Sequence, residues 1–226
     1  MSPRKVIIDC DPGQDDAVAL FLALASPDDL EVLGITTVAG NVPLALTQRN
    51  ARMMCDIAGR QDLRVFAGCE RPLELDPITA EYIHGNTGID GVSVFEPKTP
   101  LQEQHAVDFI VEALLDSKDA VTLVPTGPMT NIATAIQREP SVLRNVEQIV
   151  SMGGAMREGG NRSPSAEFNI LVDPHAADIV YNCGRPVTAM GLDVTHHVLS
   201  TRERVARIRE LDNEVAEATA GMLSFF

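Results

Sequence analysis

The 226-residue chain lacks the features that define several large classes of protein. Nothing at its amino end resembles a signal peptide or a membrane span, and its four cysteines are too widely spaced for a Cys-x-x-Cys site. It has no patch rich in Lys and Arg, and its net charge of -14 argues against a nucleic-acid-binding surface. We therefore expect a cytoplasmic protein with reduced thiols that binds neither nucleic acid nor membrane.

Two phosphate-binding motifs are also absent. The chain has no Gly-x-Gly-x-x-Gly stretch and no Gly-Lys-Ser/Thr stretch. These motifs form the loops that bind phosphate, so the sequence argues against a dinucleotide-binding protein and against a P-loop protein. With 45% hydrophobic residues, the chain can bury a sizeable core. We expect one α/β domain over residues 1–226.

Apolar runs alternate with helical patterns along the chain. The strand-like runs are residues 6–8, 32–38, 64–67, 121–124, 146–152 and 187–190. The predicted helices are residues 15–25, 44–58, 105–117, 129–138, 175–182 and 201–226. This alternation predicts an α/β fold with a mainly parallel, doubly wound (Rossmann-like) sheet and helices on both faces. Ligands of such sheets bind at the carboxyl ends of the strands.

Four carboxylates crowd the turn that follows the first predicted strand. Asp9 and Asp11 come at the end of the strand, and Asp15 and Asp16 begin the next helix. Like charges this close repel one another unless a cation or strong donors stabilise them, and oxygen ligands favour Ca2+ or Mg2+ over zinc. Helix capping would explain one or two of the carboxylates. The spacing excludes an EF-hand, since Leu20 stands where its bidentate Glu should be.

Glycine-rich turns follow three other predicted strands, at residues 40–41, 125–127 and 152–154. Each has an ordinary explanation as a turn, a helix cap or a close packing contact. Because strand ends meet at one edge of a parallel sheet, however, the three turns and the acidic turn would surround one cleft. A threonine carbonyl at Thr126 could add a neutral oxygen to a metal there.

A long polar loop, residues 156–173, offers further candidate binding groups. Its Asn161, Glu167 and Asn169 suit a polyhydroxylated ligand, because a sugar hydroxyl both donates and accepts hydrogen bonds. If residues 167–169 are extended, Glu167 and Asn169 share one side and face the cleft while Phe168 is buried. The alternative is a solvated surface loop.

Taken in order, these motifs resemble the nucleoside hydrolases of the inosine-uridine-preferring type. The resemblance covers Lys5 to about His197, and its most specific part is the signature Asp-Cys-Asp-Pro-Gly-Gln-Asp-Asp. The collinear motifs that follow are residues 38–41, 84–85, 124–127, 152–154 and 166–169. The resemblance implies the nucleoside hydrolase fold, a Ca2+ cofactor, hydrolysis of the N-glycosidic bond of ribonucleosides to base and ribose, and a homodimer or homotetramer.

The resemblance also implies roles for individual residues. Asp11 and Asp16 would bind Ca2+ through carboxylates and Thr126 through its backbone carbonyl, and Asp11 would take a proton from the attacking water. Asp9 would support these ligands from behind. His84 would border the base. The residues implied to hold the ribose are Asp15, Asn41, Met152, Asn161, Glu167 and Asn169, the last of which is also a candidate catalytic residue.

One departure from the family pattern leaves other functions open. Family members continue for roughly a further third of a chain, with a His-Asp pair that completes the calcium ligands and protonates the leaving base, and this sequence lacks that pair. We therefore expect a truncated chain, with a nucleoside- or ribose-binding protein without catalysis as the alternative. A haloacid-dehalogenase-like phosphatase, with Asp9 as nucleophile, is more distant, because Pro12 and Gly13 stand where that family has Gly-Thr-like residues.

Overall fold

A computed structural model describes residues 2–226, in which seven strands form one parallel sheet. The strands are β1 (Arg4–Cys10), β2 (Leu30–Thr37), β3 (Val65–Ala67), β4 (Leu101–Gln102), β5 (Val121–Pro125), β6 (Val146–Met152) and β7 (Val187–Met190). Their order across the sheet is β4-β3-β2-β1-β5-β6-β7, and each neighbouring pair is parallel. The predicted parallel α/β sheet is confirmed.

Helices cover the two faces of this sheet. They are α1 (Gln14–Leu24), α2 (Leu44–Ile57), α3 (Glu81–His84), α4 (Ala106–Asp116), α5 (Thr130–Arg138), a 3-10 helix (Pro140–Asn145), α6 (Phe168–Val172), α7 (Pro174–Tyr181), α8 (Leu192–Thr195), α9 (Arg202–Arg209) and α10 (Glu214–Phe225). Among residues 2–226, none of these helices has the length and apolar character needed to cross a bilayer.

Two hydrophobic clusters explain why residues 6–8 of β1 are an uninterrupted apolar run. One cluster joins α1, α2 and α10 to the sheet, and the other joins α4, α5 and α7. Successive side chains of a strand point to opposite faces, so Ile7 lies in the second cluster while Val6 and Ile8 lie in the first. A strand buried on both faces has no polar side, which is the pattern of a central parallel strand.

The prediction of one helix over residues 201–226 is wrong. Asp212 has a φ of 50°, a left-handed conformation that interrupts the helix between α9 and α10. Asn213 then caps α10, because its side chain accepts a hydrogen bond from the backbone N–H of Ala216. The short elements β4, α3, α6 and α8 were also not predicted, since they span too few residues to show a hydrophobic period.

The order of the strands creates a crevice at the end of β1. Strands β2, β3 and β4 are added in order on one side of β1, and strands β5, β6 and β7 are added in order on its other side. At such a reversal the connections leave on opposite faces, and the space between them binds ligands. The N–H of Thr126, just after β5, donates to the carbonyl of Asp9 at 2.8 Å. The acidic turn and Thr126 are therefore side by side.

Candidate active site

The turn after β1 brings the carboxylates of Asp11 and Asp16 together and buries both. The N–H of Asp11 donates to Asp16 Oδ2 at 3.1 Å. Asn41, after β2, donates from its N–H to Asp11 Oδ2 at 2.7 Å and from Nδ2 to the Asp11 carbonyl at 3.0 Å. Asp11 Oδ1 is buried without a hydrogen-bond partner among residues 2–226. Asp15 lies beside the pair and is exposed.

Both buried carboxyl groups hold their protons more tightly than usual. Burial raises the pKa of Asp16 to about 7, with the charge of Asp15 adding to the effect. Burial and the neighbouring Asp16 raise the pKa of Asp11 well above its ordinary value, although the Asn41 N–H opposes this. A cation between the two would offset the repulsion and give the unpartnered oxygen of Asp11 a ligand to bind.

The donors at this point fit a hard cation. Within residues 2–226 no group of three His, Cys, Asp or Glu side chains converges as a metal centre. The candidate set is instead two carboxylates, Asp11 and Asp16, with the backbone carbonyl of Thr126 as a neutral oxygen. Such all-oxygen sets are typical of Ca2+ and Mg2+, which complete their coordination with water or substrate oxygens.

Two glycines leave the room that the Asp11 carboxylate occupies. A Cβ on Gly40, after β2, would lie 2.1 Å from Asp11 Oδ2, and a Cβ on Gly127, after β5, would lie 2.2 Å from Asp11 Oδ1. Neither glycine has a positive φ, so close approach and not backbone conformation requires glycine there. Three strand ends thus close around one carboxylate, as the sequence predicted for this edge of the sheet.

Asp9 lies behind the site and not in it. Its side chain is fully buried, and its Oδ1 accepts hydrogen bonds from Thr36 Oγ1 at 2.6 Å and Asn131 Nδ2 at 2.8 Å. Burial raises the pKa of Asp9 to about 7, against these two donors. A nucleophile has to reach its substrate, so this position argues against the phosphatase alternative. Asn131, which also bonds Thr37 O and the N–H of Cys69, was not singled out in the sequence.

The opposite wall of the site is helical, and the prediction of an extended segment over residues 167–169 is wrong. Glu167 caps α6: its Oε1 accepts from Asn169 N at 3.0 Å, and its Oε2 accepts from Gly154 N at 3.0 Å. Glu167, Phe168 and Asn169 are all buried, so the alternative of a solvated loop does not hold there. Burial raises the pKa of Glu167, against the backbone N–H groups that it binds.

Internal hydrogen bonds decide which polar atoms remain for a ligand. Asn169 Nδ2 donates to the carbonyls of Thr126 at 2.8 Å and Met152 at 3.2 Å, which leaves Asn169 Oδ1. Asn161 Oδ1 accepts from Phe168 N at 2.9 Å, which leaves Asn161 Nδ2. Asn41 uses Nδ2 internally and keeps Oδ1. The site therefore presents both acceptors and a donor, as a polyhydroxylated ligand requires.

One pocket at the crevice collects almost all the side chains that the sequence predicted. The sequence assigned ten residues to the metal, to catalysis or to substrate binding, and of these only Asp11 does not line the pocket. The predicted residues that line it are Asp15, Asp16, Asn41, His84, Thr126, Met152, Asn161, Glu167 and Asn169. The pocket also includes side chains that the sequence analysis missed: Ala80, Tyr82, Ile83, Arg162 and Phe226. The Arg162 guanidinium lies 5.2 Å from the centre of the Tyr82 ring, and Phe226 stacks on His84 at 5.6 Å.

Comparison with known proteins places a chain of this fold and site among the nucleoside hydrolases. The family model described as "Inosine-uridine preferring nucleoside hydrolase" matches residues 6–226. This chain belongs to that family, which confirms the resemblance read from the acidic signature and the glycine motifs.

Individual relatives agree with this assignment. An inosine-uridine preferring nucleoside hydrolase of Leishmania major is 45% identical over 227 residues, which cover 99% of this chain and 71% of that protein. A pyrimidine-specific ribonucleoside hydrolase RihA of Photobacterium profundum is 46% identical over 223 residues, with the same coverage of 99% and 71%. The structure of a purine-preferring ribonucleoside hydrolase from Gardnerella vaginalis superposes with a TM-score of 0.93 at 37% identity, covering 98% of this chain and 71% of that one.

The stability of the metal-free protein should fall as the pH rises from 5 to 8. An aspartate in the unfolded chain has a pKa of about 3.9. In the folded protein, burial raises the pKa of Asp16 to about 7 and the pKa of Asp11 above its ordinary value. Between these values the folded state binds more protons than the unfolded state, so the free energy of unfolding decreases with pH. Urea unfolding in chelator should show that the free energy of unfolding falls by a few kcal/mol between pH 5 and pH 8, since a difference of one in pKa corresponds to about 1.4 kcal/mol.

The control for this pH effect is Asp16→Asn, which should reduce the pH dependence but not remove it, because burial also raises the pKa of Asp9, Asp11 and Glu167. Asp119→Asn at an exposed carboxylate should leave the pH dependence unchanged. Added calcium should restore stability at pH 8. Equal free energies of unfolding at both pH values in chelator would contradict the buried, metal-binding pair.

Proposed function

We propose that this protein hydrolyses the N-glycosidic bond of ribonucleosides and releases free base and ribose. The observation that carries the proposal is the pocket itself, in which the buried carboxylate of Asp16 adjoins free amide oxygens and an amide donor at the crevice of the sheet. The buried Asp11 lies directly beside Asp16. Membership of the family supports the reaction, because both relatives described above are named as hydrolases of nucleosides. The substrate would place its ribose against the carboxylates.

We propose Ca2+ as the metal, held by the carboxylates of Asp11 and Asp16 and the backbone carbonyl of Thr126. The unpartnered Asp11 Oδ1 and the raised pKa of both carboxyl groups support a cation at this point. When bound, such an ion lowers the pKa of a coordinated water and orients it for attack. Asp11 would receive the proton of the attacking water as general base.

The other pocket residues would bind and polarise the sugar. Asp15 and Asn41 would hold ribose hydroxyls near the carboxylates, and Met152 would pack against the ring. The residues proposed to hold the 5'-hydroxyl side are Asn161, Glu167 and Asn169. Cleavage develops positive charge on the ribose, as in other glycoside hydrolyses. The free Oδ1 of Asn169 and the carboxylates would stabilise that charge more strongly than the neutral ground state, which is the condition for catalysis.

The test is hydrolysis of p-nitrophenyl riboside, inosine and uridine, each with added calcium and with chelator. The p-nitrophenolate leaving group barely needs protonation by an acid. Cleavage of this substrate therefore depends on the residues that would bind the metal and the ribose, and not on a group that protonates the base. We expect calcium-dependent cleavage of the riboside. Inosine and uridine are both included because the relatives comprise pyrimidine-specific and purine-preferring enzymes.

Failure to cleave any of the three substrates, with no effect of calcium on ribose binding, would overturn the proposal. Ligand-dependent stabilisation without product would support the binding-protein alternative instead, because a ligand stabilises the folded state even when no bond breaks. A homodimer or homotetramer and a cytoplasmic location stay predictions.

A further inference from the structure

Gln14 is the one polar residue of the acidic turn that has no role in the proposed mechanism. It is the first residue of α1, and its side chain is fully buried. Its Nε2 donates to the carbonyls of His84 at 3.0 Å and Asp90 at 3.1 Å. Its Oε1 lies 2.6 Å from His84 Nδ1. Three hydrogen bonds thus join the acidic turn to a loop 70 residues further along the chain.

These contacts fix the orientation of the Gln14 amide. Carbonyl oxygens can only accept hydrogen bonds, so the amino group must face His84 O and Asp90 O. The reversed orientation would place Oε1 against two other oxygens and lose both bonds. The Oε1 atom therefore faces His84, where it can only accept. Consequently, His84 Nδ1 must carry the hydrogen.

The tautomer of His84 determines what this ring can offer to a ligand. A neutral imidazole carries one hydrogen, so Nδ1–H leaves Nε2 as a hydrogen-bond acceptor. His84 Nε2 has no hydrogen-bond partner among residues 2–226, and the ring lines the pocket. Burial lowers the pKa of His84, which favours the neutral ring, although the charge of Asp15 opposes this.

Packing holds the ring in the position that the amide selects. A Cβ on Gly13 would lie 2.5 Å from His84 Nδ1 and 2.6 Å from Cε1, so the turn and the ring are in direct contact. On another side the ring stacks on Phe226, with an angle of 25° between the planes. The ring is therefore packed against the turn and against Phe226 while its Nδ1 faces Gln14.

We propose that Gln14 is a positioning residue that fixes the Nδ1–H tautomer of His84, so that His84 Nε2 accepts a hydrogen bond from a hydroxyl or N–H group of the bound ligand. The identity of the ligand as a nucleoside rests on the proposed function, whereas the tautomer does not. An Nε2–H tautomer would instead present a donor, which suits a different set of ligand atoms.

The tautomer can be measured by NMR on the full chain labelled with nitrogen-15, from long-range proton–nitrogen correlations of the histidine rings. The His84 signals are those that disappear in His84→Gln. We expect a protonated Nδ1 and an unprotonated Nε2. In Gln14→Leu, which has no acceptor, a substantial Nε2–H population should appear, whereas Gln14→Glu should retain Nδ1–H. Both variants lose the two bonds to carbonyls, but Gln14→Glu adds a charge as well as an acceptor beside His84. Its spectrum is therefore recorded at a pH where the ring is neutral, so that the comparison reports the acceptor. An Nε2–H ring in the unsubstituted protein, or the same tautomer in Gln14→Leu, would overturn the proposal.

Binding supplies a second measurement, by calorimetry with pseudouridine in calcium. Pseudouridine is a C-nucleoside without an N-glycosidic bond, so its binding is measured without turnover. Gln14→Leu should weaken binding about tenfold, the size of one hydrogen bond to a ligand. In a His84→Ala background the same substitution should have no further effect, since Gln14 acts through His84. Gln48→Leu on α2 is the control and should bind as the unsubstituted protein does. Additive losses in the double variant would show that Gln14 does not act through His84.

The ligand group that meets Nε2 can be found with two analogues. If the group is the 2'-hydroxyl, His84→Ala should no longer weaken the binding of 2'-deoxypseudouridine. If it is a base N–H, His84→Ala should no longer weaken the binding of 1,3-dimethylpseudouridine. A full penalty of His84→Ala with both analogues, with the other hydroxyls excluded by matching deoxy compounds, would refute the acceptor role. If pseudouridine binds and His84 has the expected tautomer, but no product forms from p-nitrophenyl riboside, inosine or uridine, the inference stands and the hydrolase proposal fails.

Discussion

Replacing Asp11 by asparagine should abolish calcium binding and lower the turnover of p-nitrophenyl riboside by about a thousandfold or more, the range expected for a general base that also binds the metal. The amide is nearly isosteric, and its oxygen can still accept the hydrogen bond from the Asn41 N–H. It lacks, however, the charge that would bind a cation and the basicity that would accept a proton. Turnover and calcium titration measure the two losses separately.

The stability of this variant distinguishes a lost ligand from a damaged fold. In chelator, Asp11→Asn should be at least as stable as the unsubstituted protein, because it removes a buried carboxyl group that repels Asp16. In calcium at about a hundred times its Kd, the unsubstituted protein should gain about 2.7 kcal/mol and the variant nothing. Asp119→Asn at an exposed carboxylate should keep both the calcium effect and the activity. Calcium stabilisation that persists in Asp11→Asn would show that the metal is elsewhere.

The residues of the acidic turn could be predicted because their geometry is local. A strand followed by a tight turn and a helix places Asp11 and Asp16 near one another whatever the rest of the fold does. The alternation of apolar runs and helical patterns was likewise enough for the parallel sheet, since both faces of β1 are buried. The site then follows from the sheet, because strand ends converge at the point where the strand order reverses.

The residues that the sequence did not reveal are those whose partners are distant in the chain. Asn131 meets Asp9 across 122 residues, and Gln14 meets His84 across 70. Nothing in the local pattern marks either residue, since a polar residue at the start of a helix has an ordinary explanation as part of a cap. Glu167 shows the opposite error: it was placed in an extended segment because α6 has five residues, too few for a helical period.

Replacing Gly40 by alanine tests the space around Asp11 without changing any polar group. The new Cβ would lie 2.1 Å from Asp11 Oδ2 and 2.9 Å from Pro128 Cδ, so the carboxylate must move. Overpacking of this kind costs about 1–3 kcal/mol of stability. It should also weaken calcium binding at least tenfold and lower riboside turnover about a hundredfold, because a small displacement of a catalytic group has that effect. Calorimetry with calcium and the turnover assay measure the two effects.

The matched control for Gly40→Ala is Gly59→Ala. Gly59 has a φ of +67° and no atom within 4 Å of its added Cβ, so this alanine costs about 1 kcal/mol through backbone strain alone. The two variants are thus destabilised for different reasons, and only Gly40→Ala disturbs the carboxylate. If stability alone governed activity, both would lose calcium affinity and turnover in proportion to their destabilisation. If Asp11 is the metal ligand and base, Gly59→Ala keeps both properties while Gly40→Ala loses them, and retention of both by Gly40→Ala would refute that role.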